Sequence, residues 1–112
     1  MTFDEYQRAA RRTTKPISNA LDTFWTTKDK ILNGALGLAG EAGEVVDIIK
    51  KNHCGGRHID AEKIKLELGD IMWYMVEVCD AFGITLEGVA IANIEKLKAR
   101  HPDGFKNWEG KR

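Results

Sequence analysis

Two pairs of acids stand where an apolar helix face would be expected: Glu41 and Glu44 in GLAGEAGEVVDIIKK, and Glu67 and Asp70 in EKIKLELGDIMWYMV. Each pair is spaced i, i+3 in a run of helical period, so both members share one face. Like charges at that spacing repel by a few tenths of a kcal/mol, roughly 0.2–0.5, on a bare helix. Four residues downstream of Glu41 and Glu44 stand Val45 and Ile48 rather than a Lys or Arg. Whatever this chain folds into must therefore pack two helices by faces that carry uncompensated negative charge.

A helix turns about 100° per residue, which places every side chain on a wheel. With Glu41 at zero, Ile48 lies about 20° to one side and Val45 about 40° to the other. Leu38, Ile49 and Ala42 continue the apolar arc, and Glu44 sits on its shoulder. The next helix repeats the pattern. Glu67 lies between Tyr74 and Ile71, the arc runs through Val78, Ile64, Met75 and Leu68, and Asp70 takes the shoulder. On a further helix Asn93 falls between Val89 and Leu97, with Lys96 on the shoulder. A carboxylate buried without a partner costs several kcal/mol or takes up a proton. Two acid pairs at one phase, joined by an inward Asn and a Lys, point to a single site between packed helices. Oxygen-only ligands select Mg²⁺ over zinc, with Mn²⁺ as a substitute, and such a metal keeps open positions for phosphate.

The remaining chain supports one all-α domain over residues 1–112, with antiparallel helices forming a four-helix-bundle core. No segment alternates at period two. The helix signals predict a first helix from Thr2 to about Thr13, opened by the Thr2–Glu5 capping box. A second runs from about Lys30 to Asn52 and stops at Gly55-Gly56. A third is capped by Asp60 and ends at Phe82 before Gly83, and a fourth runs from Thr85 to before Pro102. Lys15 to Lys30 lacks a clean period and reads as a connection, and the tail carries Phe105 and Trp108. The 17 acids balance 17 Lys and Arg, which argues against a nucleic-acid partner bound by a strong basic field. No apolar stretch approaches the roughly 20 residues of a membrane span, and MTFDEYQRAARR lacks an apolar signal core, so a cytoplasmic location is expected. Cys54 and Cys79 are expected as free or buried thiols. The loop Asn52 to His58 holds one Cys and two His without zinc spacing.

GLAGEAGEVVDIIKK, ELGDIMWYMVEV and GITLEGVAIANIEKLKARHP together resemble the MazG-like nucleotide pyrophosphohydrolases of the all-α NTP pyrophosphatase superfamily. The family's ExxE, spacer, ExxD signature reads here as Glu41-x-x-Glu44, 22 intervening residues, and Glu67-x-x-Asp70. The Gly-Asp-x-x-Trp-Tyr continuation and Asn93-x-x-Lys96-x-x-x-Arg100 strengthen it, and the match covers Gly34 to Pro102. The resemblance implies Mg²⁺-dependent hydrolysis of a nucleoside or deoxynucleoside triphosphate between the α and β phosphates, releasing pyrophosphate. It also implies a homodimer or homotetramer in which two chains complete the four-helix core. Oligomerisation is a common remedy for a small core, and the wide apolar arcs of this short chain agree with it.

On this reading Glu41, Glu44, Glu67 and Asp70 hold the metal, and Glu41 or Glu44 positions or deprotonates the attacking water. Asn93, Lys96 and Arg100 contact phosphate or ribose. Tyr74 bonds an acid or the substrate, and Trp25 stacks on the base. Trp73, on the polar side of its helix, is assigned to a subunit interface. Rival readings are a dUTP diphosphatase, a phosphoribosyl-ATP pyrophosphatase, or a nucleotide-sensing module without turnover.

Overall fold

The computed structural model describes residues 1–17 and 25–104, which form four α-helices and no strand. Phe105 and Trp108 lie outside the described residues. α1 (Phe3–Arg11) opens on the expected capping box: Glu5 N donates to Thr2 Oγ1 at 3.1 Å, and Thr2 N donates to Glu5 Oε2 at 3.0 Å. α2 (Thr27–Cys54) begins three residues before the expected Lys30. A second capping box explains the difference. Asp29 N donates to Thr26 Oγ1 at 3.2 Å and Thr26 N to Asp29 Oδ2 at 2.9 Å, so the polar run Thr26 to Asp29 is a helix start rather than a connection. α3 (Ala61–Phe82) is capped by Asp60 and ends at Gly83, whose φ of 67° is the left-handed stop that glycine adopts without strain. α4 (Leu86–Arg100) starts where Thr85 Oγ1 accepts from Gly88 N at 2.9 Å.

α2 and α3 pack as a long antiparallel hairpin, and α1 lies across α3 and α4. Two close approaches set the hairpin's register. A methyl group on Gly34 would fall 2.7 Å from Val78 Cγ2, and one on Gly37 would run into the ring of Tyr74. Residue numbers across the seam thus sum to 111 or 112 (34 with 78, 37 with 74). Continued along both helices, that register sets Glu41 opposite Asp70.

Polar fastenings hold α1 in place. Buried Gln7 donates from Nε2 to Asp80 Oδ1 at 2.9 Å and to the Ile84 carbonyl at 3.2 Å, while its Oε1 accepts from Leu86 N at 2.8 Å. Arg11 grips Asp80 in a fork, with Nε to Oδ2 at 3.0 Å and Nη2 to Oδ1 at 2.6 Å. Burial alone would raise the Asp80 pKa; the bonds from Arg11 and Gln7 and the Arg11 charge outweigh it and hold the carboxyl below its ordinary range. Trp73, expected at a subunit interface, also serves the chain itself: its Nε1 donates to Thr13 Oγ1 at 2.7 Å and its ring packs on the core. Its position on the polar side of α3 is the side that α1 covers.

The core is small. Among the described residues the buried apolar side chains are Ala10, Val76, Cys79 and Leu86, with Tyr6, Met72, Trp73 and Met75 packed around them. Large apolar side chains remain open along the hairpin and α4, including Leu36 at 65% and Leu66 at 71% exposure. The radius of gyration is 17.9 Å, against roughly 13–14 Å for a compact chain of this length. α4 packs on α1 and touches α3, but not α2. Cys54 is exposed, Cys79 is buried, and both are free. No described helix is long and apolar enough to cross a membrane.

Candidate metal centre

The hairpin seam gathers Glu41 of α2 with Glu67 and Asp70 of α3, their nearest carboxylate oxygens all within 4.8 Å of one another. Glu41 and Glu67 are half-buried and Asp70 is exposed, so the group opens to solvent on one side. The acids burden one another. A hydrogen bond between the Glu41 and Glu67 carboxyls raises the Glu41 pKa first; burial and the charges of Asp70, Glu67 and Glu44 add to it. No ion pair reaches any of the three among the described residues. The cluster can lose that repulsion by sharing a proton or by taking up a cation, and an all-carboxylate set suits a hard divalent one.

Glu44 stands apart. It is exposed and lies outside the group of three, although its charge is felt at Glu41. Three helical steps rotate it about 60° from Glu41, which turns it out of the seam. Tyr74, half-buried, lies one turn beyond Asp70 with its ring over Gly37 and edge-on to Trp73, centroids 5.1 Å apart. Asn93, Lys96 and Arg100 are exposed on α4, which does not pack against α2, the helix that carries Glu41 and Glu44.

Trp25 is half-buried just before α2. The 14 residues from Thr27 to Glu41 rise about 21 Å, which sets the indole at the open end of the hairpin, away from the acids at its middle. Lys15 Nζ covers its ring at 4.9 Å from the centroid, and the buried indole Nε1 has no hydrogen-bond partner among the described residues. Tyr6, read from the sequence only as part of the first helix's apolar spacing, proves to be a neighbour of the site. Burial raises its pKa, and the charge of Asp70 raises it further. No local signal marks it, because the contact depends on how α1 crosses α3.

Comparison with known proteins identifies the family of the chain. The model of the MazG nucleotide pyrophosphohydrolase domain matches residues 30–105, a span that contains all four acids, Tyr74 and the polar residues of α4, and leaves Trp25 outside. Over 79 residues the chain is 32% identical to the Gene 37 protein of Mycobacterium phage L5, covering 67% of this chain and 69% of that protein. No solved structure matches. With the domain match spanning most of its length and both halves of the acidic signature, this chain belongs to the MazG nucleotide pyrophosphohydrolase domain family.

Proposed function

We propose that the protein hydrolyses nucleoside or deoxynucleoside triphosphates between the α and β phosphates, giving the monophosphate and pyrophosphate. The observation that carries this reading is the convergence of Glu41, Glu67 and Asp70 in a chain of this family. Their oxygen-only donor set and mutual repulsion fit Mg²⁺, with Mn²⁺ as a substitute. Bound there, the metal would neutralise triphosphate oxygens and the charge developing on the departing pyrophosphate. Glu41 and Glu44 are the candidates to orient the attacking water and accept its proton. Glu44, free of the seam, has the freer carboxylate of the two.

The reading also requires a second copy of the chain. α4 carries Asn93, Lys96 and Arg100 on a helix that leaves α2 uncovered, while Leu32, Leu36, Val46 and Leu66 stand exposed on the hairpin. A homodimer or homotetramer would complete a four-helix bundle over those side chains. It would bring cationic α4 side chains and Trp25 to the acids.

The test is release of pyrophosphate from a panel of NTPs and dNTPs, including dUTP and phosphoribosyl-ATP, with and without Mg²⁺. Metal-dependent pyrophosphate with matching monophosphate is expected. Orthophosphate would place the cleavage at another bond, and nucleotide binding without turnover would make the protein a sensor. Light scattering on the same sample is expected to give a mass of two or four chains.

A further inference from the structure

The close approach of α2 and α3 beside the acids rests on one residue without a side chain. Gly37 lies one turn before Glu41, and Tyr74 one turn after Asp70. A methyl group built on Gly37 would fall 2.6 Å from Tyr74 Cγ and closer still to Cδ1 and Cε1. The ring therefore occupies the volume that any other residue at position 37 would need. On one side its movement is limited, because Trp73 stands edge-on to it at 89° and is itself held by the Thr13 hydroxyl. Gly40 and Gly43 differ: a methyl on either would meet nothing within 4 Å in the chain. Glycine inside a helix costs roughly 1 kcal/mol relative to alanine, and at Gly37 the structure shows what that cost secures.

We propose that Gly37 is a positioning residue for the acidic cluster: it admits the Tyr74 ring between α2 and α3 and so sets the helix separation at which Glu41 meets Glu67 and Asp70. This rests on the reading of the cluster as a divalent-cation site. A side chain at position 37 must either lift α2 off α3 or turn the Tyr74 ring into the space beside the acids. Both changes move Glu41 relative to the two acids of α3. Metal sites tolerate such displacement poorly, and loss of a supporting contact typically weakens affinity about 10- to 100-fold.

The experiment measures Mn²⁺ affinity by titration calorimetry on four full-length proteins: wild type, Gly37→Ala, Tyr74→Ala and the double variant, each checked for helicity by circular dichroism. Gly37→Ala is expected to weaken Mn²⁺ about 10- to 100-fold in the presence of Tyr74. In the Tyr74→Ala background the same substitution is expected to have little effect, because the ring it collides with is gone. Equal affinity of wild type and Gly37→Ala overturns the proposal, as does an equal loss in both backgrounds, which would mean that Gly37 acts other than through the ring. Should Gly37→Ala fail to fold, Tyr74→Ala against the double variant still decides: equal affinity supports the proposal and unequal affinity overturns it. A wild type that binds no Mn²⁺ removes the metal reading and this inference together, a result that none of the other outcomes produces.

Discussion

The open end of the α2–α3 hairpin and its middle treat acidic side chains in opposite ways. At the open end Glu77, 3% exposed, is met by Lys30 Nζ at 3.4 Å, and the Thr14 hydroxyl donates to the same oxygen. Lys30 itself is 7% exposed and also donates to Thr14 Oγ1 at 3.1 Å. At the middle Glu41, Glu67 and Asp70 converge with no cationic partner among the described residues. Where charge serves the fold, the chain supplies both signs and a hydroxyl. Where charge is left bare, it concentrates one sign at an opening to solvent. Leaving the second group uncompensated costs folding free energy, which a cation bound there would return.

Breaking the compensated end should cost the most stability. Lys30→Met leaves Glu77 buried without its cation, and loss of one partner of a buried pair is worth about 3–5 kcal/mol. Thermal melting is expected to fall sharply, and Lys30→Met combined with Glu77→Leu should recover much of the loss. If Lys30→Met melts like wild type, the pair does not hold that end of the hairpin.

At the bare cluster the order reverses, with a large effect on turnover and little on folding. Glu67→Gln or Asp70→Asn should reduce pyrophosphate release about a hundredfold or more, since stabilisation by a metal is worth several kcal/mol. The metal-free melting temperature should stay level or rise slightly as repulsion is removed. A large drop would give these acids a structural role instead.

Divalent metal should sharpen the contrast. Mg²⁺ at a hundred times its dissociation constant is expected to stabilise the wild type by about 2.7 kcal/mol, read as a rise in melting temperature that Asp70→Asn lacks. The Lys30→Met variant, whose acidic cluster is intact, should keep the same upward shift. If Asp70→Asn gains as much as wild type, the metal binds elsewhere.

The smallest effect concerns pH. Asp80 has a folded pKa below its ordinary value of 3.8, so its contribution is fully present above that value. It is lost as pH falls through 3.8 toward the folded pKa. Between pH 5 and pH 3 the wild type should therefore lose more stability than Asp80→Asn, measured by urea unfolding across the range. Parallel curves for the two proteins would show that the Arg11–Asp80 fork adds nothing.

Much of the fold could be read without coordinates. Thr2 with Glu5, Asp60, Gly83 and Thr85 each mark a helix end by local chemistry, and each end falls where that chemistry places it. The start of α2 was equally legible in Thr26 and Asp29, but an Asp in the role usually given to Glu or Gln hides the box in a polar stretch. The helical wheel placed Glu41 and Glu67 inside the apolar arc and Asp70 on its shoulder, and the structure joins all three at the seam. It also placed Glu44 on a shoulder, and the shoulder proved to be open. Nothing local could show that Trp73 reaches Thr13, that Tyr6 neighbours Asp70, or that Lys15 lies over Trp25.

By itself, the sequence determined four helices, their ends and the acidic face of each long one, because caps, glycine stops and a 3.6-residue period are properties of neighbours in the chain. Only the tertiary structure decided how far apart those faces lie. Gly34 against Val78 and Gly37 against Tyr74 set the register that brings three carboxylates together and leaves the fourth outside. The crossing of α1 and the splay of α4 were likewise beyond reach of a helical wheel. Each depends on contacts between residues some 60–80 positions apart, such as Gln7 with Asp80 and Thr13 with Trp73, and a helical period carries no information about which face meets which.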